Sequence, residues 1–327
     1  MNTYYCLRVA GLGVLSALAA IQTTSGIAFA RDYPTKPIRL VVPFTPGGGT
    51  DMMARLIARE MSKVLGQSVV VDNRGGGGGT IGAEMGVRAS PDGYTLLMIA
   101  SSYASNAVLY KLPYDPVKDL KPIVLLGETG FLIALNASLP AKSTKELINL
   151  ATGKPGELNY ASPGTGSSPH LAFELFKRMA GIEAIHVPYK GSGPAIFDLL
   201  GGQIQMMITG AVALMPHVRS GKLRGIAVTS AKRMALLPDI ASVAETVPGY
   251  EAAGWYGFCS PKGVSDEIVI LWGREVNKIL QSNEMKKRLE IDVLEPVGGE
   301  PERLLEVIKS DIEKWRRVVR ESKIMVN

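Results

Sequence analysis

Residues 38–51 read Ile38-Arg39-Leu40-Val41-Val42-Pro43-Phe44-Thr45-Pro46-Gly47-Gly48-Gly49-Thr50-Asp51. The first five residues are mostly aliphatic and β-branched, which is typical of a buried strand that Pro43 ends. The glycines form a loop, and Thr50-Asp51 opens a helix that Gly66 ends. Its apolar face is predicted at Met52, Met53, Leu56, Ile57, Met61 and Leu65. A strand, a glycine loop and a helix in this order predict the first unit of a parallel sheet.

The same alternation continues along the chain. Further strands are predicted over residues 68–71, 94–100, 122–126, 131–135, 158–161, 203–208 and 225–229. Helices are predicted over residues 81–89, 144–151, 169–180, 193–201 and 301–319, with N-caps at Ser143 and Ser168. No linker is long enough to separate independent domains. The pattern predicts an α/β fold of two lobes, each a mainly parallel sheet flanked by helices, with strands that cross between them.

Composition excludes several classes of protein. Of 327 residues, 46% are hydrophobic and 20% charged, which argues against a disordered chain. Lys and Arg exceed Asp and Glu by 36 to 30 without forming clusters, so an anionic small molecule is favoured over nucleic acid. Cys6 and Cys259 cannot build a disulfide framework, and His170, His186 and His217 lack metal-site spacing. We expect neither a metal nor a cofactor.

The first thirty residues predict a signal peptide. Arg8 precedes an apolar run over residues 9–21, which is too short for a stable membrane span. Ala28-Phe29-Ala30 is typical of a cleavage site, so the mature chain is expected to begin at Arg31. The alternative is an N-terminal anchor helix. Export predicts a periplasmic location if the source is a Gram-negative bacterium.

Three glycine-rich loops were considered as binding sites. Residues 77–82 fit G-x-G-x-x-G, but the strand that should end in an acidic residue ends at Ala100-Ser101-Ser102, which argues against a dinucleotide. No loop continues as a P-loop does. The loops at residues 47–49 and 165–168 each precede a helix N-terminus, whose free N–H groups bind anions. They predict a site for a dianion; the alternative is that both are tight turns. Asp51 is interpreted as a cap or loop brace.

Signatures of enzymes are weak in this sequence. G-x-S-x-G is absent, and the remaining enzyme hypothesis is a serine hydrolase that pairs Ser167 or Ser168 with His170. A hydrogen bond within the lobe is the favoured role of His170, and His186 is interpreted as structural. Trp255, Tyr256 and Phe258 are predicted to pack in the core or at a hinge, with cleft lining as the alternative.

Motifs throughout the chain resemble one family, the tripartite tricarboxylate transporter receptors, known as Bug or TctC-like solute-binding proteins. The matching segments are residues 41–51, 71–74, 90–95, 112–116, 158–162, 186–191, 238–240 and 295–299. The resemblance implies a two-lobe periplasmic binding protein that closes on a small carboxylate without catalysis. It also implies membrane permease subunits as partners, and a monomer is expected. A periplasmic subunit that senses the same ligand for a signalling system is the alternative.

The resemblance also implies where the carboxylate binds. The expected ligand-binding residues are Phe44, Thr45, Gly47, Gly48, Gly49, Asp51, Ser101, Ser102, Thr165, Gly166, Ser167, Ser168, His170 and Thr209. Many relatives have an acidic or amide pair where this chain has Thr209-Gly210-Ala211, so a ligand without an amino group is predicted. Lobe 1 is expected to comprise residues 31–126 and 253–327, and lobe 2 residues 127–252.

Overall fold

The computed structural model describes residues 33–322. The predicted signal peptide over residues 1–30, with its cleavage site after Ala30, lies outside the described residues. The ten strands are β1 (Ile38–Val42), β2 (Val69–Asn73), β3 (Thr95–Ala100), β4 (Leu120–Asn136), β5 (Asn159–Ser162), β6 (Ile185–Pro188), β7 (Met206–Gly210), β8 (Leu223–Val228), β9 (Ala253–Pro261) and β10 (Glu295–Pro296).

Helices alternate with these strands as the sequence predicts. They are α1 (Gly49–Leu65), α2 (Thr80–Val87), α3 (Ser102–Leu109), α4 (Thr144–Gly153), α5 (Ser168–Ala180), α6 (Ser192–Leu200), α7 (Ala211–Arg219), α8 (Asp266–Gln281), α9 (Asn283–Ile291) and α10 (Pro301–Ser322). Among residues 33–322, no helix combines the length and apolar character that crossing a bilayer requires.

One sheet passes through both lobes, in the strand order β2-β1-β3-β9-β4-β7-β5-β6. Strands β2, β1 and β3 are parallel, with Leu40 opposite Val71 and Leu96. Strands β7, β5 and β6 are also parallel. Between the two groups, β9 and β4 run antiparallel to their neighbours. Each lobe therefore has a mainly parallel sheet, and the mixed centre of the sheet joins them.

The two strands predicted at residues 122–126 and 131–135 form a single strand, β4, of 17 residues. Gly127 and Gly130 suggest a loop in the sequence, but both pair with β9. The first part of β4 pairs with β9 and β10, and the last part pairs with β7 and β8. The glycines therefore lie where the strand changes partners, close to the junction of the lobes.

A second correction concerns the start of α5. Ser168 was predicted as its N-cap, but Ser167 holds that position and its side chain accepts a hydrogen bond from the His170 N–H. Pro169 lies in the first turn, where its missing N–H removes no helical hydrogen bond. The prediction was therefore displaced by one residue.

Helix α10 packs into more than one core. Leu304, Ile308 and Ile312 join the cluster of lobe 1 that includes Trp255. Trp315 joins the lobe 2 cluster around Tyr160, Phe173 and Phe176. The lobe boundaries remain a prediction, and α10 is an element whose apolar face serves both sides of them.

Candidate ligand-binding cleft

A cavity of about 30 Å³ lies between the lobes, beside the strands that cross between them. Both lobes contribute residues to its wall. The lining consists of Phe44, Gly48, Gly49, Thr50, Ala100, Ser101, Ser102, Thr129, Phe131, Pro163, Pro169, Ser192, Thr209, Gly210, Gly254, Trp255 and Tyr256. A cavity of this size has room for about two water molecules, so the cleft between the lobes is narrow in this conformation.

Four helices begin at this cavity without a side-chain cap. Their N-cap residues are Gly48 for α1, Ser101 for α3, Gly191 for α6 and Gly210 for α7. The first N–H groups of a helix have no partner within the helix, and they carry the positive end of its dipole. Helices α1 and α3 come from lobe 1, and α6 and α7 from lobe 2. The cavity therefore presents N–H donors and positive potential from both sides.

Charged side chains take no part in the lining of this cavity, as far as residues 33–322 describe it. Ser192 and Thr209 share a hydrogen bond of 2.7 Å, and the Thr129 hydroxyl donates to backbone oxygens. The rings of Phe44, Phe131 and Trp255 supply apolar surface. This combination suits an anion with a short apolar body.

Tyr256 connects the two sides of the cavity. A Cβ added at Gly49 or Gly210 would overlap the Tyr256 hydroxyl, so this oxygen lies against the starts of α1 and α7. Burial raises the pKa of Tyr256 above its ordinary range, which keeps the hydroxyl protonated and able to donate. Glycine at both positions makes room for this hydroxyl.

Asp51 braces the loop before α1. Its carboxylate accepts hydrogen bonds from the Gly47 N–H at 3.0 Å and the Asn73 side chain at 2.9 Å. Arg55, one turn later, forms an ion pair with it at 2.9 Å. These three partners hold the glycine loop in place; a ligand contact by Asp51 or Gly47 stays a prediction.

Glycines form the seam where the lobes touch. The Thr45 N–H donates to the Lys190 carbonyl at 3.2 Å, which links the lobes through their backbones. A Cβ at Gly75 would overlap the Lys190 carbonyl, and a Cβ at Gly191 would overlap Thr45. A Cβ at Gly78 would overlap the Thr165 carbonyl. The glycine run that resembled a dinucleotide loop therefore allows one lobe to approach the other closely.

The loop over residues 165–168 lies in this seam and does not appear in the cavity lining. The Thr165 and Gly166 carbonyls accept hydrogen bonds from Tyr110 and Ser105 of lobe 1. The Ser168 N–H donates to Ser102 at 3.2 Å. Its polar groups thus make contacts within the protein, and their assignment as ligand contacts remains a prediction.

The serine hydrolase hypothesis finds no paired nucleophile and base at the predicted positions. Ser167 donates to the Gly164 carbonyl, and His170 Nδ1 accepts from the Gly166 N–H at 3.2 Å. The ring of His170 stacks on His186 with 3.9 Å between centroids. Burial lowers the pKa of His170 to about 4 and that of His186 to about 3.

The cavity contains six of the fourteen predicted residues, namely Phe44, Gly48, Gly49, Ser101, Ser102 and Thr209. The other lining residues were not among the predicted ligand contacts, and most of them lie on the crossing strands or at helix starts. They include Thr50, Ala100, Thr129, Phe131, Pro163, Pro169, Ser192, Gly210 and Gly254. Trp255 and Tyr256 were assigned to packing, with cleft lining as the alternative, and the structure places both at the cavity.

Comparison with known proteins identifies the family. The model described as tripartite tricarboxylate transporter family receptor matches residues 53–324. The chain belongs to this receptor family. Protein BugT of Bordetella pertussis is 37% identical over 94% of this chain and 97% of its own length.

Two solved structures of similar proteins contain carboxylates. Rpa4515 of R. palustris with adipate is 39% identical, with a TM-score of 0.87 over 90% of this chain and 99% of the other. MatC of Rhodopseudomonas palustris with bound malate is 32% identical, with a TM-score of 0.81 over 88% of this chain and 100% of the other. The receptor has the two-lobe fold of periplasmic binding proteins, and membership of its family makes it a solute-binding protein.

Proposed function

We propose that this receptor captures a small dicarboxylate between its lobes and delivers it to the membrane permease of a tripartite tricarboxylate transporter. The observation that carries the proposal is the convergence of four uncapped helix N-termini on one cavity with an uncharged lining. Helix N-termini bind carboxylates through N–H groups and the helix dipole. Because the N-termini come from both lobes, an anion with two charged ends fits better than one with a single charge.

The same lining favours a ligand without an amino group. An ammonium would need a carboxylate or several acceptors, and among the residues described the cavity offers the hydroxyls of Thr209 and its neighbours but no carboxylate. Phe44, Phe131 and Trp255 suit a methylene chain between two carboxylates. Adipate, which Rpa4515 holds, has this form.

Closure follows from contacts on both sides of the cleft. A ligand that touches α1 and α3 in lobe 1 and α6 and α7 in lobe 2 binds the closed form more tightly and shifts the population toward it. The receptor acts as an exported monomer, and the closed form is the one that the permease recognises. The ligand leaves chemically unchanged.

A thermal-shift screen of the chain from Arg31 tests the proposal. The panel contains adipate, succinate and malate, with aspartate, glutamate and the neutral diamide of adipic acid as controls. At 100 times its dissociation constant, a ligand stabilises the folded protein by about 2.7 kcal/mol. We expect a rise in melting temperature with a dicarboxylate and none with the diamide.

Two results would contradict the proposal. An equal shift with the diamide would mean that charge is not recognised, and a shift with aspartate above that with the dicarboxylates would contradict the lack of an ammonium site. The protein is first dialysed from denaturant and refolded, so that ligand carried from the expression host is removed.

A further inference from the structure

Asp311 on α10 contacts Trp255, one of the residues that line the cavity. Its carboxylate accepts a hydrogen bond of 3.1 Å from the indole N–H of Trp255. Trp255 lines the cavity, and its backbone carbonyl accepts a hydrogen bond of 3.1 Å from the Ser101 N–H. The residue that Asp311 holds therefore supplies an apolar wall and also anchors the start of α3.

The position of Asp311 on α10 relates it to both lobes. Ile308 and Ile312, on either side of it, pack in the core of lobe 1 with Trp255. Trp315, one turn later, is buried in the core of lobe 2. Its indole nitrogen is buried without a hydrogen-bond partner among residues 33–322. Asp311 thus lies between two indoles that belong to different cores.

Few charges act on this carboxylate. Lys314 lies one turn along the same helix and pairs with Glu251 at 3.8 Å. The ionisable groups on the elements packed against α10 are Tyr103 on α3, Lys121 and Glu128 on β4, Glu251 before β9, and His170, Glu174, Lys177 and Arg178 on α5. Burial raises the pKa of Asp311 to about 6, against the opposing effects of the Trp255 hydrogen bond, of Lys314 and of the nearby Trp315 indole, which does not reach hydrogen-bond geometry.

We propose that Asp311 is a positioning residue for the cavity, which acts through its hydrogen bond to Trp255. The ionised carboxylate fixes the indole, because a hydrogen bond to a charged acceptor is stronger than one to a neutral acceptor. Its negative charge contacts a residue that lines a site for anions. By linkage, an anion in the cavity and a proton on Asp311 favour each other. The positioning of Trp255 by Asp311 is independent of the proposed function, whereas the linkage between anion and proton rests on it.

The test compares Asp311→Asn, which keeps an acceptor without the charge, with Asp311→Leu, which removes both. Glu313→Gln is the matched control, because Glu313 is exposed on the same helix. Tryptophan emission of the unliganded protein is recorded from pH 4.5 to 8, and Trp255→Phe assigns the signal. We expect a transition near pH 6 in the wild type and in Glu313→Gln, and none in either Asp311 variant.

Adipate affinity is then measured across the same pH range. In Asp311→Leu we expect roughly tenfold weaker binding at pH 7.5, because the indole loses its hydrogen bond. In Asp311→Asn we expect about two- to threefold tighter binding at pH 7.5, because the charge is removed while an acceptor for the indole remains. The titration of adipate itself affects both proteins equally, so the ratio of wild-type affinity to Asp311→Asn affinity isolates the effect of Asp311. We expect this ratio to rise as the pH falls through 6.

The outcomes separate the two proposals. A missing emission transition, or one that persists in Asp311→Asn, overturns the positioning role. Identical pH profiles of affinity in wild type and Asp311→Asn overturn the linkage. A transition assigned to Trp255 together with no carboxylate binding in any variant confirms the positioning role and contradicts the proposed function.

Discussion

Helices of this receptor begin in two ways. Away from the cavity, α4, α8 and α9 begin at Ser143, Ser265 and Ser282, whose side chains accept a hydrogen bond from the first turn. At the cavity, α1, α6 and α7 begin at glycines, and α3 begins at Ser101, whose side chain does not cap. Among these helices, serine caps occur away from the cavity and are missing at it. Helix α2, which begins at Gly79 without a side-chain cap and does not line the cavity, is an exception.

The difference indicates what the missing caps are for. A serine cap stabilises a helix by about 1 kcal/mol relative to alanine, and by only a few tenths relative to glycine. Glycine therefore preserves most of the stability while leaving the N–H groups open to a carboxylate. Helix α5 sharpens the contrast: it begins next to the cavity through Pro169, yet Ser167 caps it. We infer that α5 contributes to the seam between the lobes more than to ligand recognition.

The largest effect is expected from Thr209→Asp. Thr209 precedes the start of α7 and is hydrogen-bonded to Ser192 at the start of α6, so a carboxylate here would occupy the place of the ligand. We expect adipate to bind at least about 100-fold more weakly, or about 3 kcal/mol, because of like-charge repulsion and competition for the N–H groups. Calorimetric titration measures this, with Thr209→Asn as the uncharged control. Equal losses in the two variants would contradict the role of charge.

Acidic pH should destabilise the region around α5, the helix near the cavity that has a serine cap. His170 and His186 stack beneath the start of α5, and burial lowers the pKa of both from 6.5, to about 4 and about 3. The unfolded chain then binds protons more readily than the folded one below pH 6.5. Stability is complete above this pH and falls as the pH decreases, by about 2–3 kcal/mol for each histidine at pH 4.5.

Urea denaturation at pH 7 and pH 4.5 measures the loss. His186→Asn should reduce it, because one of the two proton sites is then absent from the unfolded chain. The same decrease in wild type and in this variant would show that other groups, such as carboxylates, cause the acid sensitivity.

Gly48→Ser adds a cap where the cavity has none. The backbone at Gly48 is extended, so serine is accommodated there, although its Cβ would approach Ser192 to 3.3 Å. The new hydroxyl accepts from the first turn of α1 and competes with the ligand. We expect roughly tenfold weaker adipate binding and a change of only a few tenths of a kcal/mol in the unliganded protein. Gly48→Ala, which adds the Cβ without the hydroxyl, is the control; an equal loss in that variant would assign the effect to steric contact.

The smallest effect on affinity is expected from Ser167→Ala. It removes the cap of α5, so the free energy of unfolding should fall by about 1 kcal/mol. Adipate affinity should stay within about twofold of the wild-type value. A loss of affinity above tenfold would support residues 165–168 as ligand contacts. It would contradict the inference that the uncapped helices bind the ligand and the capped helix α5 does not. Denaturation and titration of the same preparation decide between these results.

Proline, glycine and serine residues at the ends of strands and helices made much of the fold predictable from the sequence. Strand β1, its glycine loop and α1 were predicted within one residue, because Pro43 and Gly66 stop regular structure for steric reasons. Helix α4 was found from its serine cap. Helices α3, α7, α8 and α9 were not predicted; α3 and α7 follow their strands directly, without an intervening loop. In β4, glycines that usually mark a turn instead lie inside a strand that changes partners.

The cavity was only partly predictable for a related reason. Loops before helices signal an anion site locally, and they identified the start of α1. Ser101 and Ser102 at the start of α3 were expected from the family resemblance instead. Trp255 and Tyr256 reach the cavity only because β9 crosses between β3 and β4, a pairing between residues more than 120 positions apart. Aromatic residues in a strand look the same in sequence whether they face a core or a cleft. Only the register of that sheet distinguishes the two.

Helix α10 has a consequence for the order in which the protein is built. It is the last described element, and its apolar side chains complete clusters in both lobes. While the ribosome still holds this segment, neither core is finished, even though most strands have been synthesised. A chain that crosses a membrane before it folds would benefit from such a delay.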